Sequence, residues 1–520
     1  MRPTLGETLT HQAGVSATSF GPNASRPVLR GFQGERVRIL SDGIGSFDVS
    51  NTSVDHPVVI NPLTADRIEV LRGPTALLFG SSAIGGVVNV IDSRIPRSVP
   101  DEMVHVDGHM TYGSAAKERS AGAKMDLGLT DSLVLHLDGT YAKSDDLRTG
   151  GYLLSSDLRS EAKASADPDS RALADLQGRL ANSAARMWEL AAGAAYVTTG
   201  GSLGLSVSRY DSLYGIPTRY SLEADHPAEN VRLDVAQTRV DMRGEIKPQA
   251  GLFEAVRLRA GFADYHHDEL AEDGSIGTSF YHKGWEGRTE LVQRERDGWT
   301  GALGAQALVR RLHIVGAEKY LPKIKAQSYG LFTVQALDLG TVRAEAGGRV
   351  ERAIASAEED AFLGTFTALS GSLGAAYEVR PDWRVGLNSS YTERAPSAEE
   401  LFPKGPHAGT QAYEIGNPDF EKEVSKGLEL TLRGKRLGLT LSEIKDLVDM
   451  YESPQDSAAQ LERFLTVLAR HRESLEQQRE DIEVTLAEIA AHEEKCRRML
   501  AEPSTDRKPA APATRARRAA

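Results

Sequence analysis

Between about residues 103 and 433 the chain alternates small or apolar residues with polar ones at period two. Residues 103–112 read MVHVDGHMTY and residues 133–143 read LVLHLDGTYAK; residues 201–210 and 231–246 follow the same rule. Alternation sends successive side chains to opposite faces of a sheet, so this stretch must become strands with two unlike faces. Turn-formers and charged stretches separate the runs. Strands of about ten residues, joined alternately by short turns and longer loops, are the pattern of an outer-membrane β-barrel. A soluble all-β sandwich is the competing fold. The interval holds roughly fourteen strands of about ten residues each plus connections. Unpaired strand edges in lipid would cost several kcal/mol per polar group.

The remaining bulk properties narrow the function class. A chain of 520 residues exceeds one ordinary core, so several domains are expected. The formal net charge of -12 argues against a nucleic-acid-binding chain. The single cysteine, Cys496, excludes an intrachain disulfide. No run of about 18 apolar residues predicts a membrane helix, a criterion that leaves a β-barrel open. The opening MRPTLGETLTHQ lacks a basic start followed by an apolar stretch, so no signal peptide is read there and an N-terminal truncation is expected. No nucleophile–base pairing, phosphate loop or HExxH-like motif points to an enzyme. Ser81 and Ser82 lack the strand–turn–helix setting of a nucleophile elbow.

Ahead of the alternating region, residues 65–92 read ADRIEVLRGPTALLFGSSAIGGVVNVID. A strand-like run (Ile68, Val70, Leu71) leads into a turn region with Gly73, Gly80, Gly85 and Gly86, and a second strand-like run spans residues 87–91. Glycine permits tight turns and positive φ. This string, with RPVLRGFQGERVRILSDG at residues 26–43, resembles the plug domain of TonB-dependent outer-membrane receptors. The resemblance implies a small sheet filling the lumen of a large barrel, with plug charges paired to the barrel wall. Arg30, Glu69 and Arg72 are the candidates for those pairs; surface ion pairs are the alternative. It also implies a TonB-type energy-transducing partner, whose contact box is not found in this chain, and a location in the bacterial outer membrane.

Further blocks are similar to the subgroup containing zinc-uptake receptors: Asp55-His56 after GSFDVSNTSV, SVSRYDSLYGIP at residues 206–217, LDVAQTRVDMRG at 233–244, and YTERAPSAEELFPKGPHAGTQAYEIGN at 391–417. Zinc takes histidine nitrogen and carboxylate oxygen, normally four donors near 2 Å. The resemblance implies a plug-apex Asp55–His56 pair completed by barrel ligands. His407 is the first candidate and Glu269 the second, with His266, His267 and Glu286 as neighbours. A turn before Pro57 and an exposed loop histidine are the plainer readings of Asp55–His56 and His407. Zinc, or another metal complex, would be the transported cargo, with no catalytic cofactor; siderophore, haem and cobalamin remain alternative cargoes within the broad family.

At about Gly434 the period becomes helical. Thr440 and Glu443 form a capping-box pattern. Leu461, Leu468, Leu475, Ile482, Ile489 and Cys496 then recur every seven residues, the seam of a coiled coil. Cys496 on that seam reads as a small buried hydrophobe. Residues 433–450 and the heptad helix resemble the back end of MerR-family transcriptional regulators. The resemblance implies a dimerisation helix and a possible homodimer; with no winged helix-turn-helix before it, nucleic acid is not an expected partner. The expected fold is therefore mainly β: a plug (1–102), a partial transmembrane antiparallel β-barrel (103–433), an α-helical coiled-coil segment (434–501) and a disordered basic tail (502–520). Two unrelated pieces joined near Leu432–Lys435 is the simplest account, and a chimera without activity is one outcome of such a join.

Overall fold

The computed structural model describes residues 4–434 apart from 13, 219, 221–229, 317–318, 359–361, 381–382, 408–409 and 411, and beyond them Ala469 and Arg472. The chain forms two compact units, Met1–Arg433 and Gly434–Ala520. The seam positions Leu461, Leu468, Leu475, Ile482, Ile489 and Cys496 and the Thr440–Glu443 cap lie outside the described residues; Ala469 and Arg472 are helical and exposed.

The N-terminal part of the first unit centres on a four-stranded sheet in the order Ile44–Gly45, Val37–Ser41, Gly86–Ile91, Arg67–Leu71. Val37–Ser41 pairs parallel with Gly86–Ile91, and the other pairings are antiparallel. Every residue of Gly86–Ile91 is buried, as an apolar run in a central strand should be. Two apolar clusters cover its faces, one around Leu29, Val58 and Val88, the other around Leu40, Phe79 and Val87. Gly73, Gly80 and Gly86 take φ of 71°, 138° and 129°, a region disfavoured for residues with a Cβ. Gly85 differs: it does not have positive φ, but a Cβ there would sit 2.5 Å from that of Phe32.

Around this sheet runs a 14-stranded antiparallel meander, from Val104–Gly113 at one edge to Glu423–Gly434 at the other, each strand beside its neighbour in sequence save that a separate hairpin intervenes before the last. Its polarity is inside-out. Along Gly201–Gly215, Leu203, Leu205 and Val207 are exposed, whereas Ser206 and Ser208 are buried. Trp285 and Tyr281 likewise face outward, while His282, Glu286 and Arg288 face in. An apolar exterior around a polar interior is what a lipid-facing barrel wall requires. One end of the meander carries short turns, such as residues 199–200 and 339–341. The other carries long connections: residues 145–184 with helices Ser156–Ala164 and Pro168–Leu173, and residues 395–422 with helix Ala398–Leu401 and a hairpin, Lys404–His407 with Ala412–Ile415.

Charged groups seat the inner sheet against the wall. Arg30 pairs with Glu429 on the last strand, with one hydrogen bond of 2.7 Å, and Arg72 stands close enough to Glu429 to feel its charge. Glu69 corrects the expectation: its partners are Arg67, at 2.8 Å, and Asn89, both within the plug. Glu69 and Asn89 are register partners on adjacent strands, so the carboxylate is satisfied inside its own sheet. Further wall contacts come from Arg38, Arg36 and Ser81. Arg38 donates to Glu286 at 2.9 Å, Arg36 to Glu423 at 2.8 Å, and Ser81 to Glu351 at 2.9 Å.

Candidate metal centre

The apex of the inner sheet is a loop shaped by one carboxylate. Asp48 Oδ1 accepts from the Ser50 amide and hydroxyl, and Oδ2 accepts from the Val59 amide at 3.0 Å. Both ends of the loop are thereby pinned, which raises Asp55 and His56 between them. The wall holds the same loop: Tyr214 Oη donates to the Asp55 carbonyl at 3.1 Å, and Gln237 Nε2 to the Ser46 carbonyl at 3.1 Å.

His56 is oriented by its own loop. The Thr52 hydroxyl donates its proton to the Val49 carbonyl at 2.6 Å, so it can only accept from His56 Nδ1, 2.9 Å away. Nδ1 therefore carries the hydrogen, and Nε2 presents a lone pair to the opposite side. Glu269 arrives from the wall strand Phe253–Leu270, whose inward positions include Tyr265, His267 and Glu269. His407 arrives from the long connection. Its hairpin is tied down by the Lys404 amide, which donates to the Tyr320 carbonyl at 2.6 Å. At Gly405 a Cβ would lie 3.0 Å from Tyr320 Cα, so glycine lets the hairpin sit close. The His407 ring stacks on Tyr320 with centroids 4.7 Å apart.

These elements bring Asp55, His56, Glu269 and His407 together, with one donor atom of each within 4.8 Å of every other. His56 Nε2 lies 3.6 Å from Asp55 Oδ2 and 3.5 Å from Glu269 Oε1. His407 Nε2 lies 3.8 Å from Asp55 Oδ2 and 3.4 Å from Glu269 Oε1. A tetrahedral ion about 2.0–2.1 Å from each donor sets them about 3.3–3.4 Å apart; the four separations above lie within about half an ångström of that, and the widest spacing, up to 4.8 Å, must draw in by roughly 1.4 Å. All four residues are at most 3% exposed, yet neither oxygen of Asp55 and neither nitrogen of His407 makes a hydrogen bond. A buried carboxylate without donors is unfavourable by several kcal/mol unless a cation meets it, either the His407 imidazolium 3.8 Å away or a metal ion. Burial disfavours the charged form of His407, but Glu269, Glu414 and Asp55 outweigh that and raise its pKa to about 10.

The neighbours divide by strand parity. His267 faces the cluster, its Nε2 3.9 Å from Glu269 Oε1 and without a hydrogen bond. His266 points outward, 3.0 Å from Asp268 and stacked on Tyr281, so it is not part of the centre. Glu286 is also not part of it, being engaged by Arg38, the Gly45 amide and Gln306. Thr52, Tyr320 and Glu414, whose Oε1 lies 3.8 Å from His407 Nδ1, are supporting residues that sequence reasoning missed. Spacing carries no trace of Tyr320, which meets His407 through loop packing; Glu414 meets it across the hairpin, from the strand paired with Lys404–His407. The Asp48-x-Ser50 turn was the one local signal available.

Comparison with known proteins follows this geometry. The family description "TonB dependent receptor-like, beta-barrel" matches residues 123–443, and "TonB-dependent Receptor Plug Domain" matches residues 2–87. A third, "MerR, DNA binding", matches residues 426–492. A vitamin B12 transporter, BtuB, of Vibrio cholerae serotype O1 is 42% identical over 91 residues, 17% of this chain and 15% of that protein. A hemin receptor of Yersinia pestis is 35% identical over 86 residues, 16% and 12% of the two chains. The chain thus matches only a small share of these relatives' length. Among solved structures, the copper transporter OprC superposes with a TM-score of 0.68 at 16% identity, over 83% of this chain and 66% of that one. The siderophore receptor PirA of Pseudomonas aeruginosa gives 0.57 at 18% identity, over 84% and 69%. At such identities the likeness is one of fold.

Proposed function

The chain belongs to the TonB-dependent receptor family, a family of non-enzymatic outer-membrane receptors, and from that premise we propose that it takes up a divalent metal ion, zinc favoured, through Asp55, His56, Glu269 and His407. The observation that carries this reading is the convergence of four fully buried donors, two from the plug and two from the barrel side, with unsatisfied oxygens and nitrogens aimed at one point. Two imidazoles with two carboxylates suit zinc, whereas calcium and magnesium prefer oxygen alone. Burial of the centre favours a bare ion over a chelate, which would need an open concave face. No bond is made or broken: the ion is bound at the loop end, and a TonB-type partner then remodels the plug. Because two ligands ride on the plug and two on the barrel, moving the plug dismantles the centre and frees the ion.

Zinc affinity of the purified full chain, measured by competition with a chelating dye, tests this. His56→Ala and His407→Ala should each abolish tight binding. Unchanged affinity in both would remove the reading.

For residues 434–501 we infer self-association from the seven-residue spacing of Leu461, Leu468, Leu475, Ile482, Ile489 and Cys496. A full chain that sediments as a monomer at micromolar concentration would count against it. A chimera inactive in transport would retain the zinc affinity and yet fail to accumulate the ion in cells.

A further inference from the structure

Beneath the metal centre the inward positions of two wall strands form a ladder. Glu269 pairs with Thr278, His267 with Phe280, and Tyr265 with His282. Each inward rung is two residues, or about 7 Å, from the next. The first rung carries Glu269, the second His267 and the third His282, leading away from the loop end. His267 and His282 are both completely or almost completely buried, and the Nε2 of each makes no hydrogen bond.

His282 is prepared as a ligand. Its Nδ1 lies 3.0 Å from the Asp48 carbonyl, which can only accept, so Nδ1 holds the hydrogen and Nε2 presents a lone pair. A carbonyl or carboxylate on the far nitrogen is the usual support of a metal-binding histidine. The adjacent plug carbonyl, that of Val49, lies 3.3 Å from His56 Nδ1. One stretch of plug backbone thus orients a histidine above and a histidine below.

His282 also lines a cavity of about 160 Å³ between plug and wall, room for several waters. Glu35 Oε1, Arg38 Nε and Arg349 Nη1 are buried there without hydrogen bonds, which marks the chamber as hydrated. Its four arginines among the described residues are each paired with a carboxylate: Arg310 with both oxygens of Glu399, at 2.7 and 2.8 Å, Arg349 with Glu351, Arg38 with Glu286 and Arg394 with Glu400. With one histidine and water as donors, the site holds a cation weakly, as a stop on a route must.

Resting on the metal reading of the upper cluster, we infer that His267 and His282 form a relay that receives a divalent transition-metal ion from Glu269 and delivers it to this chamber. Cobalt(II) titration of the purified full chain, followed by equilibrium dialysis, tests it. The wild-type protein should bind one tight equivalent and a second at least about tenfold weaker. His282→Gln should lose the second and keep the first, and His56→Ala the reverse. A second equivalent that survives His282→Gln overturns the relay. A wild-type protein with the tight equivalent alone overturns the relay and leaves the cluster reading standing. A wild-type protein that lacks the tight equivalent and binds only one weak equivalent, dependent on His282, overturns the cluster reading instead. Should the glutamine variant fail to fold, cobalt-soaked wild-type crystals decide: anomalous density at His282 Nε2 supports the relay, and density at the cluster alone refutes it.

Discussion

On the proposed metal reading, an ion must compete with a proton at His407. Its pKa is raised from the ordinary 6.5 to about 10: burial opposes the charge, but Glu269, Glu414 and Asp55 favour it more strongly. The sign follows directly. The folded value is above the unfolded one, so imidazolium pairing stabilises the metal-free protein fully below about 6.5 and is lost as pH rises through about 10. A metal ion needs the neutral ring, so between those limits each ion bound should release about one proton from His407. Calorimetry in buffers of differing ionisation enthalpy should detect that release, and His407→Gln should eliminate this proton. Thr52 gives a second prediction at this scale. Thr52→Val removes the hydroxyl that accepts from His56 Nδ1, and zinc affinity by dye competition should fall about tenfold with the fold intact. Asp55–His56 and His407 stood out in the sequence by their likeness to a known pattern. Their orientation did not, because it depends on Thr52 and Tyr320, neither of which is a ligand.

At the scale of elements, plug and wall are held together by charge. Glu286 is fully buried and accepts from Arg38, the Gly45 amide and Gln306. Arg38→Ala leaves that carboxylate without its cation, and the full chain should lose about 3 kcal/mol of stability in chemical unfolding. Arg38→Ala paired with Glu286→Gln should recover part of the loss. The strands themselves were legible to within a few residues. The run read from 103–112 is the strand Val104–Gly113, and that from 133–143 is Leu133–Ser144. Period two is a local property that survives in any sheet. Partner choice is not local: Glu69 was expected at the wall but meets Arg67 and Asn89, because a strand neighbour lies nearer than any barrel residue.

For the whole molecule, the 14-stranded sheet has two edges among the described residues, Val104–Gly113 and Glu423–Gly434. An edge strand pairs on one side only, so part of its backbone N–H complement is unprotected. Hydrogen exchange in detergent should therefore be faster along these two strands than along the interior strand Ile276–Gln293; equal protection would show that another segment covers the edges. Residues 426–443 fall within both the barrel and the MerR descriptions, and the compact units divide inside that overlap, between Arg433 and Gly434. The alternation of residues 103–433 by itself determined strands with two unlike faces, because side-chain parity follows from backbone geometry alone; that the apolar face turns outward was decided by the tertiary structure. The string at 65–92 showed two strand-like runs around a glycine-rich turn, and its resemblance to the plug family implied the small inner sheet. Tertiary structure alone decided the centre and the ladder beneath it. His267 joins and His266 does not because register turns one inward and the other out, and His407 reaches Asp55 across some 350 residues only when the loop end closes over the plug.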